Sequence, residues 1–311
     1  MNYSEIIKLV AFVIGLALVI ITAIGASNWY YAEIFIPTIP PPKTEPFQYP
    51  NSEQRALSAN KKFTHLPEQQ KQKVISTLEH QIVPLEEWLV RLDSRDYALL
   101  CLGEYHNEYT RQFLATHFFP NVDFDVLFLE ATQDQISQIE GQLLKGKPYI
   151  RLHDADIAKV LRSVTNTKPS IVIAGVEETL QQDQIRLQRN PDNRRDYSIA
   201  ENLQARFKRG LRHITLHGAL HCTNKPGWLF DLTRSTLQRN PDDLFINAVV
   251  LGIHQEESLE AFSAFLDEIG IHRENFVITE TALLPSEIRQ WFSLLTDVTF
   301  DQFQNVIVFR P

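Results

Sequence analysis

Apolar and polar positions along the chain change period several times, and the changes mark out elements. Short, mostly apolar runs recur at Tyr97 to Leu102, Asp125 to Leu129, Ser170 to Ala174, His213 to Leu216, Leu244 to Leu251 and Asn305 to Phe309. Runs of this length predict strands buried on both faces. Between them, Tyr109 to Phe119, Asp134 to Leu144, Asp156 to Val164, Arg194 to Lys208 and Ser258 to Ile269 carry apolar residues at helical intervals, the mark of one buried stripe. Strand and helix in alternation predict an α/β fold, a mostly parallel central sheet flanked by helices. Upstream, Val74, Leu78, Ile82 and Leu85 keep helical spacing through Leu66 to Leu92, with Pro84 as a kink or break.

The amino-terminal end follows a different pattern. Leu9 to Ala32 holds no charged side chain, and Leu9 to Ala26 is almost wholly apolar. As a helix, those 18 residues span about 27 Å, close to the hydrocarbon thickness of a bilayer. Trp29, Tyr30 and Tyr31 follow like an interfacial belt. Residues 1–32 therefore predict one membrane helix, with a cleavable signal peptide as the rival reading. Lys8 and the terminal amine flank one side, whereas the other begins with Glu33 and has no cation until Lys43. That asymmetry predicts a single-pass protein with its domain on the extracytoplasmic side. Six prolines between Pro37 and Pro50 make residues 33–50 an extended spacer. Residues 51–311 then form the α/β domain, opened by helices within 51–95.

Chemistry concentrates at the ends of the predicted strands. Tyr97 to Leu102 runs into Gly103, Glu104, Tyr105 and His106, and the Gly-x-x-His spacing recurs at Gly218 to His221 after His213 to Leu216. Glycine lacks a Cβ, so it permits positive φ and close backbone approach where a strand turns sharply. Glu130 closes the run Val126 to Leu129, Glu177 follows the third strand, and His217 the fourth. In an open parallel sheet the carboxyl ends share one rim, where ligands bind. Carboxylates and imidazoles meeting there would hold a divalent metal or serve as a metal-free acid and base. A third match, Gly210 to His213, begins a strand and reads as accidental. Arg195 and Asn202 lie seven apart, on one face of a predicted helix with Ile199, so both polar groups need partners such as a substrate carboxylate, phosphate or carbonyl.

The formal charge of -8 and pI near 5.7 give no reason to expect a polyanionic partner. The cluster Arg186, Arg189, Arg194, Arg195, Arg206, Lys208, Arg209 and Arg212 is interspersed with Asp192, Asp196 and Glu201, and reads as a solvated helix face rather than a nucleic-acid surface. The two cysteines, Cys101 and Cys222, read as small buried hydrophobes, with a disulfide as the alternative if their strands are neighbours.

From Tyr97 to Pro311 the chain resembles the superfamily that joins erythromycin esterases, Tiki and TraB-type proteins and the ChaN haem-binding lipoproteins. The resemblance rests on Leu-Gly-Glu-x-His at Leu102 to His106, Glu130, the helix Arg195-Asp196-x-x-x-Ala200-Glu201-Asn202, His-Gly-x-x-His at His217 to His221, and Phe300-Asp301 before the last strand. It implies a Tiki-like α/β fold and a hydrolase of esterase or metallopeptidase type, acting on a small-molecule or peptide substrate. Glu104, His106, Glu130, Arg195 and His217 would carry catalysis, and Glu104, His106, Glu130 and His221 would hold manganese, cobalt or zinc. The chain lacks a close match to the macrolide-binding helical insertion of the esterases, which argues against erythromycin as substrate. The ChaN branch implies an alternative, haem binding for iron uptake without hydrolysis, with Tyr105, Tyr109, His106 and His117 as candidate axial ligands.

Overall fold

Side chains on a strand alternate between faces, so a strand apolar at every position must be covered on both. The first long run meets that demand: β2 (Tyr97–Glu104) sends Leu100 and Leu102 into one hydrophobic core and Leu99 and Cys101 into another. The structure, a computed structural model, describes residues 67–144, 157–189, 194–240, 242–252, 266–267, 269–272, 274–284, 293–295, 298–299 and 302–310. All lie in the unit Asn51–Pro311. The membrane segment, the proline spacer, most of the helix expected over 258–269 and the Phe300-Asp301 pair fall outside the described residues. Among the described residues no helix is long and apolar enough to cross a membrane.

One eight-stranded sheet organises the domain. Its strands are β1 (Ile82–Pro84), β2, β3 (Val126–Leu129), β4 (Val172–Gly175), β5 (His213–Gly218), β6 (Leu244–Gly252), β7 (Asn275–Thr279) and β10 (Asn305–Phe309), in the spatial order β1-β7-β10-β6-β2-β5-β3-β4. From β10 to β4 every neighbouring pair is parallel, and β7 runs antiparallel to both β10 and β1. A two-residue strand, β9 (Val298–Thr299), pairs with β8 (Ser293–Leu295) in a separate ribbon. All six expected strands are present within two residues of their expected ends. Among the described residues four more were not foreseen, β1, β7, β8 and β9. β1 interrupts the helical stretch at Pro84, and a proline without an N–H is tolerated there because β1 is an edge strand.

Helices cover both faces. On one lie α2 (Leu85–Asp93), α3 (Glu108–Phe113), α4 (Gln133–Leu144) and α5 (Ile157–Thr167), which contribute Leu89, Phe113, Ile136 and Leu161 to the core. On the other lie α1 (Glu68–Gln81), α7 (Asp196–Arg206) and α8 (Leu229–Leu237), contributing Leu78, Leu203 and Phe230. α6 (Leu180–Arg189) links β4 to α7. Cys101 and Cys222 are joined in a disulfide with Cα atoms 5.4 Å apart, so the free-thiol reading is corrected. The cause is topological: β5 lies beside β2, and the short helical turn Ala219–Cys222 after it folds back onto β2.

Register brings the strand ends level. Leu102, Leu216 and Leu129 form one row across β2, β5 and β3, and Gly103 and His217 pair one step beyond, with Glu130 next after Leu129. The chemistry-bearing residues of three strands therefore leave the sheet along a single line.

Candidate functional site

Glu104 ends β2 almost fully buried, a costly place for a carboxylate without a partner. Its partner is Arg111, on the helix that Asn107 caps by accepting from the Thr110 N–H at 2.9 Å. Arg111 Nε donates to Glu104 Oε1 and Oε2 at 3.0 and 3.2 Å, and its Nη2 to Oε1 at 2.8 Å. Both carboxylate oxygens are taken, which fits Glu104 for holding its neighbours rather than for accepting a proton.

His106 bridges two acids. Its Nδ1 lies 3.4 Å from Glu104 Oε1 and its Nε2 3.4 Å from Glu130 Oε2. Glu104 and Glu130 together outweigh desolvation and push the imidazole up to about 9. Arg111 Nη2 also lies 3.0 Å from Nδ1. A guanidinium has no acceptor, so that contact is a hydrogen bond only when Nδ1 is bare; the flanking carboxylates favour the imidazolium.

Glu130 stands at the centre. Burial pushes its carboxyl up, but hydrogen bonds from the His106 imidazolium and the Gly218 N–H outweigh burial and hold it far below the usual carboxylate range. Gly218 N donates to Oε2 at 2.8 Å and Arg195 Nη2 to Oε1 at 2.6 Å. Arg195 also donates from Nη1 to Glu177 Oε2 at 3.1 Å and from Nη2 to His221 Nε2 at 2.8 Å. The other ring nitrogen of His221, Nδ1, lies 2.7 Å from Asp196 Oδ1. A carboxylate there fixes the proton on Nδ1 and leaves a lone pair on Nε2. Asp196 itself is nearly inaccessible and also accepts from the Leu229 N–H at 3.0 Å. Five side chains thus form one chain, Asp196, His221, Glu130, His106 and Glu104, with acid and imidazole in alternation and an arginine at each half.

His217 lies behind this chain. Burial pushes its imidazole down to about 3, so it is neutral. Its Nδ1 is 2.8 Å from Thr215 Oγ1, while Nε2 is buried without a hydrogen-bond partner among the described residues. The glycines act by close approach: a Cβ on Gly218 would stand 2.8 Å from His106 Nε2, and one on Gly103 would stand 2.9 Å from the Ala219 Cα. Neither has positive φ, so that half of the expectation is corrected.

The structure brings Glu104, His106, Glu130, His217 and His221 together, as their positions at and after strand ends imply, and adds Arg195 from the start of α7. Asn202 is elsewhere engaged. Its Nδ2 donates to the carbonyls of Val176 and Glu177 at 3.1 and 3.2 Å, so it secures the loop carrying Glu177 instead of meeting a substrate. His213 is stacked between Phe128 and Phe207 in the core. The basic cluster is largely paired: Arg186 with Glu178 and Asp183, Arg209 with Asp243, Arg212 with Asp123, and Arg194 against the Trp228 ring. Two site residues were missed, Arg111 and Asp196. Both had a signal: Arg111 lies in the first turns after the Gly103 to His106 rim, and Asp196 adjoins Arg195 at a helix start.

Glu104, His106, Glu130 and His221 do not fit a divalent metal. Arg111 occupies both oxygens of Glu104, Arg195 and Gly218 occupy those of Glu130, and Arg195 faces the bare nitrogen of His221. An ion bound to these groups would have to displace two guanidinium groups. Among the described residues no set of three His, Cys, Asp or Glu gathers as ligands. The candidate haem ligands are not gathered either. His106 faces carboxylates at both nitrogens, Tyr105 packs half-buried against the core, and Tyr109 and His117 line a separate cavity of about 200 Å³.

No family model matches the chain, and no curated protein does. Solved structures do. A Bacillus cereus protein matches with a TM-score of 0.49 at 10% identity over 84% of this chain and 98% of its own. The erythromycin esterase EreC, a mutant in its open conformation, matches with 0.45 at 9% identity over 72% of this chain and 92% of its own. ChaN of Campylobacter jejuni, with cofacial haem, matches with 0.41 at 10% identity over 74% of this chain and 93% of its own.

Proposed function

We propose that the chain is a membrane-anchored hydrolase that cleaves an ester or amide carbonyl with its own acids, bases and arginines. The observation that carries the reading is the shared Glu130, whose two oxygens face the Nε2 atoms of two imidazoles, each held at Nδ1 by its own carboxylate. Asp196 at Nδ1 turns His221 Nε2 into the acceptor, and His106 between its two carboxylates is the proton-bearing partner, the division of labour that general acid–base catalysis needs. The Leu9 to Ala26 segment supports the anchor, and the Cys101–Cys222 disulfide supports an oxidising, extracytoplasmic location.

In this reading His221 Nε2 takes a proton from water as the water oxygen attacks the carbonyl carbon. The carbonyl π pair moves onto its oxygen, where Arg195 and the His106 imidazolium offset the developing charge. Arg195 divides its donors among three acceptors and is 43% exposed, so it is the group free to turn from His221 toward that oxygen. Collapse re-forms the carbonyl and breaks the bond to the leaving group, which takes a proton from an imidazolium. One water is consumed, and an acid and an alcohol or amine are released.

The test is a panel of activated esters and N-acyl peptides offered to the full-length protein before and after a chelator. Turnover unchanged by chelation and lowered about 10²-fold or more in Arg195→Ala or His221→Ala is expected, the scale seen when a charge-stabilising donor or base is removed. Activity that vanishes on chelation and returns with added metal overturns the metal-free mechanism, and no turnover of any substrate overturns the hydrolase reading.

A further inference from the structure

A cavity of about 270 Å³ opens directly on the site. Glu104, His106, Arg111 and Glu130 line its polar side. Its wall is apolar: Leu129 and Leu216 from the ends of β3 and β5, Ile136 and Ile139 at helical spacing on α4, and Ile157 at the start of α5. Leu129, Leu216, Ile136 and Ile139 are each at most 2% exposed, so this wall belongs to the core and not to an open surface. Among the described residues the one polar side chain on it outside the ion chain and its arginines is Gln135, whose carbonyl already accepts from the Thr132 N–H at 2.7 Å and the Thr132 hydroxyl at 3.1 Å.

We infer that this cavity holds an unbranched, medium-length aliphatic acyl group, a proposal that rests on the hydrolase reading and names its substrate class. A sugar or peptide group pushed in here would lose water and find almost no hydrogen-bond partners. An aliphatic chain gains from leaving water, and apolar cavities of this kind stay dry and take apolar guests. The size is near the lower limit for small-molecule pockets, too small for a macrocycle. At roughly 30 Å³ for each water-sized group it has room for about nine heavy atoms. The acyl carbonyl then comes to rest at the polar side, beside Glu130 and His106, where the bond is cut.

The experiment measures kcat/KM of the full-length protein for p-nitrophenyl esters from acetate to decanoate, together with calorimetric binding of sodium octanoate. Each added methylene up to about octanoate is expected to raise kcat/KM about two- to fourfold, with a fall beyond. Ile139→Trp, which fills the cavity, is expected to lower the octanoate-to-acetate ratio at least tenfold, and Ile139→Ala to move the optimum to longer chains. Octanoate is expected to bind the wild type and His221→Ala alike, and Ile139→Trp at least tenfold more weakly. Ester hydrolysis with no dependence on chain length overturns this inference and leaves the hydrolase standing. Octanoate binding abolished by Ile139→Trp, with no ester cleaved, supports the acyl site and overturns the hydrolase. Failure of octanoate to bind the wild type overturns the acyl site whatever the esters show.

Discussion

A β-carbon added to Gly218 would stand 2.8 Å from His106 Nε2, so the backbone of one Gly-x-x-His turn is the floor on which the histidine of the other rests. The two turns are parts of one object. Gly218→Ala should push the imidazole off Glu130 while leaving the fold intact, because the clash is with the end of a movable side chain. A displacement of about 1 Å at such a site costs on the order of 10²-fold in rate. Gly103→Ala should behave oppositely, since its new carbon would meet the Ala219 backbone at 2.9 Å. Overpacking of that kind destabilises by about 1–3 kcal/mol. Melting curves and steady-state rates on both variants separate the two effects.

Asp196→Asn should keep the shape of the site and lose its chemistry. An amide no longer favours the proton on His221 Nδ1, so Nε2 loses the lone pair that takes the proton from water. The loss should reach about 10³–10⁴-fold, as for other carboxylate-oriented histidines. Unchanged kcat in a folded Asp196→Asn protein would remove His221 from the role of base.

Activity should decline as pH rises through about 9, where His106 gives up its proton. The sign for stability is the same. The folded imidazole is raised above its ordinary 6.5, so its stabilising contribution is complete below about 6.5 and drains away as pH climbs through about 9. His106→Gln should flatten the alkaline limb of the pH–rate profile at a much lower rate. An alkaline limb that survives in His106→Gln assigns it to another group.

His217 predicts the opposite slope. Its folded imidazole is depressed toward about 3, so the unfolded chain binds the extra proton as pH falls below about 6.5. Stability contributed by the neutral ring is complete above about 6.5 and is lost progressively on acidification. Urea midpoints at pH 7 and pH 4.5 should differ less in His217→Gln than in the wild type.

The motifs at the strand ends were legible because parallel strands must finish on one rim, whatever their order. Hence Glu104, His106, Glu130, His217 and His221 could be grouped before any pairing was known. The order itself was hidden. β5 slots between β2 and β3, and nothing local in Thr215 or Leu216 encodes which strands flank them. β1 was concealed because Ile82 and Leu85 also satisfy helical spacing. Within α3 alone Arg111 is one more helix cation, because its partner Glu104 belongs to the preceding strand. Asn202 needed partners, but it finds them in the Val176 and Glu177 carbonyls and the Gln182 amide, a loop and helix start that side-chain periodicity does not connect to it.

The Cys101–Cys222 bond should matter for stability as well as for location. Cross-links that close loops this long contribute about 2–5 kcal/mol. Cys101→Ser with Cys222→Ser should lower the melting temperature, and reductant should lower that of the wild type to match.

The same bond also records how the chain was threaded. It joins positions 121 residues apart, and pairing of β5 with β2 is what carries Cys222 within reach of Cys101. A molecule in which β2 and β3 pair directly with each other buries much of the same apolar surface but strands both thiols far apart. Counting free sulfhydryls in a refolded sample therefore counts molecules whose strands took the wrong seats, with no need of a substrate to tell them from the rest.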